Sequence, residues 1–290
     1  MTESEKKRLL VLPVALALWA GLAVAGGQGS VRIDGVPLFV ICVALAMAIQ
    51  WIAFVPAFLA RTERFFDLTG SLTYIICTGV AVSFGPPLGP RSTVLATLVV
   101  VWAARLGSFL FLRIMREGAD RRFDEIRGSF VRFFVAWTLQ GVWVSFTMGA
   151  ALAVITSERP QSLGALGWAG LTLWIVGFGI EVVADAQKKR FRSRPENADR
   201  FVRSGLWAWS RHPNYFGEIV LWFGVAMIAT PALQGWQYVT LLSPVFVTLL
   251  LTRVSGVPLL EERADAKWGG DPEYEAYKAS TPVLVMRPPR

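Results

Sequence analysis

The chain has 290 residues, 54% of them hydrophobic and 17% charged, with a formal net charge of +8. A soluble domain carries about a quarter of its residues charged, so this composition points to a bilayer, and because the basic residues sit in short loops between apolar runs they set nucleic acid aside. One histidine and two cysteines, Cys42 and Cys77, lying far apart inside apolar runs, are too few soft ligands for a protein-built zinc or haem site and give no disulfide framework.

Eight apolar segments follow in chain order, at residues 9–26, 36–60, 68–84, 94–112, 130–155, 163–184, 215–230 and 238–254. The first follows Lys6-Lys7-Arg8 and ends near Ala23-Val24-Ala25-Gly26, yet it reaches the spanning minimum of about 18 residues and reads as a retained helix rather than a cleaved leader. The loops then alternate: 61–67, 113–129 and 185–213 fall on one side with both termini, and 27–35, 85–91, 156–162 and 231–237 on the other. The first set holds most of the Lys and Arg, with Arg113, Arg116, Arg121, Arg122 and Arg127 in one loop and Lys188, Lys189, Arg190, Arg192 and Arg194 in another. That side is expected to be cytoplasmic. The expected fold is therefore an all-α, polytopic integral membrane protein of about seven to eight spans, one integral domain from 1 to 290, with both termini cytoplasmic. Residues 253–290 read as one or two cytosolic amphipathic helices ended by Pro282 and Pro288-Pro289.

An ionisable residue at membrane depth costs at least about 2.5 kcal/mol on insertion scales, so each one asks for a partner or a role. Arg105 is the only charge in its segment, with Trp102 and Phe109 a turn to either side; it reads either as a snorkelling, pair-forming arginine or as a cation lining an internal site. Glu181 and Asp185, at i and i+4, share a helix face and repel each other unless cations or ligand donors lie between them, for which Arg192 and Arg200 are near in sequence. A solvated helix end is the plainer alternative. Asn214, Glu218 and Trp222 form a stripe at i, i+4 and i+8 behind Pro213, which suits a first helical position. The positive end of that helix points at the loop bearing Arg211 and His212, an arrangement suited to phosphate. An amide, a carboxylate and an indole on one stripe suit an adenosine or nicotinamide group, whereas a capped helix with a buried polar pair needs no ligand. Together these features outline a site for a large polyanionic soluble cofactor beside a membrane cavity for an apolar substrate; an anionic lipid headgroup would use the same arginines.

Gly205-Leu206-Trp207, the run Ser210-Arg211-His212-Pro213-Asn214-Tyr215-Phe216-Gly217-Glu218, and Trp222 resemble the C-terminal signature of the steroid 5-alpha-reductase-like superfamily, which includes bacterial members of unassigned function. The resemblance reaches upstream to Asp185 and Arg192, and downstream to Glu261-Glu262-Arg263, Lys267-Trp268-Gly269 and Tyr274 to Tyr277, which are similar to the closing motif of the sterol C14-reductases. Residues 63–71 and 102–107 are closest to the uncharacterised bacterial branch. The resemblance implies a multi-pass protein of a bacterial-type inner (plasma) membrane that binds NADPH from the cytoplasmic side. It further implies hydride transfer to a carbon–carbon double bond of a steroid-, sterol- or isoprenoid-like enone entering from the bilayer. It would place Asn214, Glu218 and Trp222 on the nicotinamide half, and Asp185, Arg192, Arg105, Arg113 and Arg116 on ribose, pyrophosphate and 2′-phosphate. Glu181, Arg211, His212, Glu262 and Arg263 complete the cofactor-binding set, within a signature region of residues 181–290. On the substrate side, Gln50 is followed by Trp51 where the steroid enzymes have a glutamine–glutamate pair, and Trp102 stands where they have a tyrosine acid. Gln50, Trp102, Asp67 and Tyr215 form the expected catalytic set, with Glu63 and Tyr74 as further candidates for the proton donor.

Two other functions share these features. Isoprenylcysteine carboxyl methyltransferases have a related Arg-His-Pro signature and bind S-adenosylmethionine, a donor that has no phosphates and no need of Arg105, Arg113, Arg116 and Arg192. A non-catalytic lipid-binding membrane protein is the third reading.

Overall fold

The structure is a computed structural model that describes residues 10–118, 120, 123–159 and 161–289, without the side chain of Glu117. Lys6, Lys7, Arg8, Arg121 and Arg122 lie outside the described residues.

A chain inside hydrocarbon must satisfy its backbone polar groups internally, and the apolar runs do so as helices. Among the described residues seven stretches are long and apolar enough to cross a membrane: Leu38–Leu59, Phe66–Phe84, Pro90–Arg116, Phe130–Ile155, Gly164–Arg192, Pro213–Ala232 and Gly235–Trp268. An eighth apolar helix, Val11–Gly26, is shorter at 16 residues. The protein is an all-α polytopic membrane protein. Its helices are α1 (Val11–Gly26), α2 (Leu38–Leu59), α3 (Phe66–Phe84), α4 (Pro90–Glu117), α5 (Phe130–Ile155), α6 (Gly164–Arg192), α7 (Pro213–Ala229), α8 (Ser243–Leu249), α9 (Val257–Trp268) and α10 (Pro272–Ser280). The named strands, Arg32–Ile33 and Val36–Pro37, form one small antiparallel hairpin. Its turn takes Asp34 and Gly35 at φ 47° and 83°, the left-handed conformation in which Asp-Gly is favoured.

The chain divides into two compact units, Met1–Gly167 with Ile228–Ser243, and Trp168–Met227 with Pro244–Arg290. In the first unit, 83% of the apolar window of α5 is buried, against 33% for α3, so α5 is the element the others enclose. Phe54, Phe123, Phe133 and Trp137 form its aromatic core, with Phe66 packed against them. Polar ties cross this core: Gln50 Nε2 donates to Thr73 Oγ1 at 2.7 Å, and Trp51 Nε1 to Thr138 Oγ1 at 3.1 Å. Cys42 and Cys77, distant in sequence, are neighbours, with the Cys77 sulfur 3.3 Å from the Cys42 carbonyl oxygen. Arg91, buried at the start of α4, donates to the carbonyls of Ser162 at 2.8 Å and Leu163 at 2.7 Å, and to that of Ile228 in the last turn of α7. A guanidinium presents five N–H groups in a fork, which lets one side chain serve three carbonyls.

In the second unit α6 and α7 pack backbone against backbone. A Cβ built on Gly217 would fall 2.5 Å from the Gly177 oxygen and 2.7 Å from the Glu181 nitrogen. One on Gly177 would fall 2.6 Å from the Gly217 oxygen, and one on Gly224 2.6 Å from that of Gly170. Gly170 and Gly177 on one helix, and Gly217 and Gly224 on the other, are each seven residues apart, so they recur on one face and let the helices approach closely. At 29 residues α6 is about 44 Å long, more than the hydrocarbon core of about 30 Å requires.

Candidate functional site

The glycine contact fixes which polar side chains meet. Because Gly217 touches the backbone of Glu181, Glu218 stands at the same level, and one turn away Asn214 Nδ2 donates to Asp185 Oδ1 at 3.2 Å. Glu181, Asp185, Glu218 and Trp222 are all buried. The two stripes seen in the sequence therefore meet in one polar seam of three buried carboxylates, a buried indole and the half-buried amide of Asn214. Burying a carboxylate is costly unless hydrogen-bond donors face it. Among the described residues no group of three His, Cys, Asp or Glu is disposed to hold a metal ion. The carboxylates of the seam are acceptors, and Asn214 Nδ2 is one donor that faces them.

The turn entering α7 is fixed from both sides. Trp207 Nε1 donates to the Ala184 carbonyl at 3.0 Å, and Tyr277 OH to the Trp207 carbonyl at 2.7 Å. The C-terminal tail lies along it: the Arg211 amide donates to Pro282 O at 2.9 Å, Arg287 N to Trp209 O at 3.0 Å, and Ser210 Oγ to Leu284 O at 2.9 Å. Pro213 opens α7, where its missing N–H costs nothing.

Arg211 and His212 share one partner, Glu261 on α9. Arg211 Nη2 is 3.1 Å from Glu261 Oε2, and His212 Nε2 is 2.7 Å from Oε1. His212 also stacks on Tyr215, with ring centres 5.7 Å apart. Burial holds the imidazole below its ordinary value, more than the Glu261 hydrogen bond raises it, so the neutral ring donates from Nε2. Since the folded value is the depressed one, protonation favours unfolding: the stability is complete above the ordinary value of about 6.5 and is lost as pH falls below it. Between pH 7.5 and 5 the melting temperature of the wild-type protein is expected to fall further than that of His212→Gln; parallel curves would refute a neutral buried ring.

Arg211 is nine-tenths buried, and its Nε and Nη1 have no acceptor among the described residues. Leaving a buried donor unmet costs roughly 1–3 kcal/mol, more for a charged group. Unmet cationic donors in the turn leading into α7 fit an anionic oxygen ligand such as a phosphate.

The other expected site residues lie elsewhere in the chain. In the second unit Arg192, Glu262 and Arg263 are exposed. In the first unit Arg113 Nη2 lies 3.6 Å from Asp67 and 3.5 Å from Asp120, Arg105 sits over the Phe109 ring at 5.3 Å, and Arg116 is exposed. Trp102 packs edge-on against Tyr74 at 5.1 Å. Glu63 accepts from the Asp120 amide at 2.8 Å and faces Arg127 at 3.3 Å. Glu261 is not among the expected site residues, although the sequence carries its signal. Val257, Leu260, Ala264 and Trp268 recur at helical spacing, and Glu261 lies on that inward face while Glu262 and Arg263 lie off it.

A multi-span helical membrane protein is the architecture that resemblance to the steroid 5-alpha-reductase-like superfamily implies. The chain belongs to the family described as a protein of unknown function, DUF1295, whose model matches residues 53–281. It is similar to the 3-oxo-5-alpha-steroid 4-dehydrogenase 1 of Bos taurus, at 33% identity over 151 residues, 51% of this chain and 54% of that protein. The rat protein of the same name is 38% identical over 116 residues, 40% of this chain and 39% of that protein. The Delta(14)-sterol reductase of Neurospora crassa is 30% identical over 111 residues, 33% of this chain and 20% of that protein. The chain thus spans about half the length of the cattle protein and less of the other two. No solved structure matches it.

Proposed function

We propose that the protein is an NADPH-dependent membrane reductase acting on a carbon–carbon double bond of a lipophilic enone of steroid, sterol or isoprenoid type. The observation that carries this reading is the polar seam of Glu181, Asp185, Asn214, Glu218 and Trp222, together with the unmet donors of Arg211. When bound, NADPH supplies the hydride. The chain's own residues bind and orient: Asn214 and Glu218 hold the carboxamide, Asp185 and Glu181 accept from ribose hydroxyls, and the turn at Arg211 takes phosphate oxygens. Arg105, Arg113, Arg116 and Arg192 are the further residues that the resemblance suggests for ribose, pyrophosphate and 2′-phosphate, Glu262 and Arg263 belong to the same cofactor set, and Gln50, Trp102, Asp67 and Tyr215 lie on the substrate side. The similar proteins named as steroid and sterol reductases support the substrate class. The arginine-rich loops, by the positive-inside rule, support a cofactor site that opens to the cytoplasm.

Thermal stabilisation of the detergent-purified protein by NADPH, NADP+, NADH and S-adenosylmethionine tests this reading. NADPH and NADP+ are expected to raise the melting temperature, and Glu218→Ala to abolish the rise. Stabilisation by S-adenosylmethionine alone would instead establish the methyltransferase reading, and silence with all four the lipid-binding one.

A further inference from the structure

We infer that Glu261 is a positioning residue that builds a phosphate subsite at Arg211, an inference that rests on the cofactor reading only for the source of the phosphate. A guanidinium has five N–H groups. Glu261 engages Nη2, which holds the planar fork in place, while the three N–H groups on Nε and Nη1 are buried without an acceptor. The same carboxylate holds His212 Nε2 at 2.7 Å and so keeps the neutral ring at the entrance to α7, whose first N–H groups carry the positive end of a 17-residue helix. Lys188 and Lys278 act on this cluster as cations, and Asp265, the partner of Lys278, as an anion. Arg211, Lys188 and Lys278 attract an added anion while Glu261 and Asp265 repel it, so the unmet N–H groups of Arg211, and not a net charge, define the subsite. The tail from Pro282 to Arg287 holds the turn from outside, so the guanidinium is set before any ligand arrives. The ligand class is a phosphate ester or anhydride, whether on a soluble nucleotide or on a lipid headgroup.

Charge and geometry can be separated at Glu261. Glu261→Gln keeps an oxygen for Arg211 and turns its amide N–H2 to His212, whose neutral ring accepts at Nε2 in its other tautomer, while it removes the negative charge that competes with phosphate. Glu261→Ala removes both. Inorganic pyrophosphate, titrated against the 290-residue chain in nanodiscs of neutral lipid, is expected to bind roughly threefold or more tighter to Glu261→Gln and about tenfold weaker to Glu261→Ala and Arg211→Ala. Glu262→Gln makes the same charge change on the exposed face of α9 and is expected to leave binding within about twofold, since salt screens exposed charges. A Glu261→Gln protein that binds like Glu261→Ala, or an Arg211→Ala protein that binds like wild type, overturns the inference. Nanodiscs containing phosphatidic acid distinguish the sources. Competition by phosphatidic acid with no stabilisation by NADPH keeps the subsite and removes the cofactor reading, whereas failure of pyrophosphate, NADPH and phosphatidic acid alike removes the subsite.

Discussion

Gly217→Val is expected to cost about 3 kcal/mol and to abolish any stabilisation by NADPH, because the new side chain would start 2.5 Å from the Gly177 carbonyl oxygen. That neighbour is backbone and cannot rotate aside, so α6 and α7 must separate. Separation by even an ångström breaks the 3.2 Å hydrogen bond between Asn214 and Asp185 and opens the seam. The control is on α6 itself. A Cβ added at Gly179 would meet nothing within 4 Å, so Gly179→Val is expected to leave stability within about 0.5 kcal/mol. Comparable losses in both variants would show that valine harms this helix wherever it is placed and that close contact is not the cause.

Arg91→Met is expected to destabilise the first unit by roughly 3 kcal/mol or more, since it leaves the carbonyls of Ile228, Ser162 and Leu163 without their shared cationic donor. Methionine fills similar volume, which isolates the lost hydrogen bonds from the lost packing. Arg91→Lys keeps the charge as a single point and cannot reach three acceptors in fixed directions, so it is expected to recover less than half of the loss. Thermal melts of the three proteins in one detergent measure this; a loss below about 1 kcal/mol for methionine would mean that the carbonyls find other donors.

Hydrophobic periodicity makes most of the architecture legible in the sequence. The apolar runs of 36–60 through 238–254 correspond to the seven long apolar stretches, and 9–26 to the shorter α1, because hydrocarbon leaves a long apolar run no alternative to a helix. The stripes on α6 and α7 are legible for the same reason. Their meeting is not, since it depends on Gly170, Gly177, Gly217 and Gly224, whose seven-residue spacings show a pairing only once the helices are known to be neighbours.

Sequence distance hides other pairs altogether. Cys42 and Cys77 are 35 residues apart and yet adjacent, and Gln50 finds Thr73 across two helices. Arg91 reads in sequence as one basic residue in a short loop, whereas it sits buried at a helix start among carbonyls from two distant segments. Glu261 is the most instructive case, because a motif of three consecutive charged residues draws notice to Glu262 and Arg263, while helical spacing alone turns Glu261 inward onto Arg211 and His212.

The most direct measurement of the central claim is label transfer. The purified protein in nanodiscs would be incubated with NADPH deuterated at its transferable hydride position and a set of lipophilic enones: a 3-oxo-4-ene steroid, a sterol dienone and an isoprenoid enone. The expected result is a product reduced at one double bond and one mass unit heavier than that formed with unlabelled NADPH, with the deuterium on the carbon β to the carbonyl, formed by the wild-type protein and not by Glu218→Ala. Recovery of all three enones unlabelled and unreduced would contradict it.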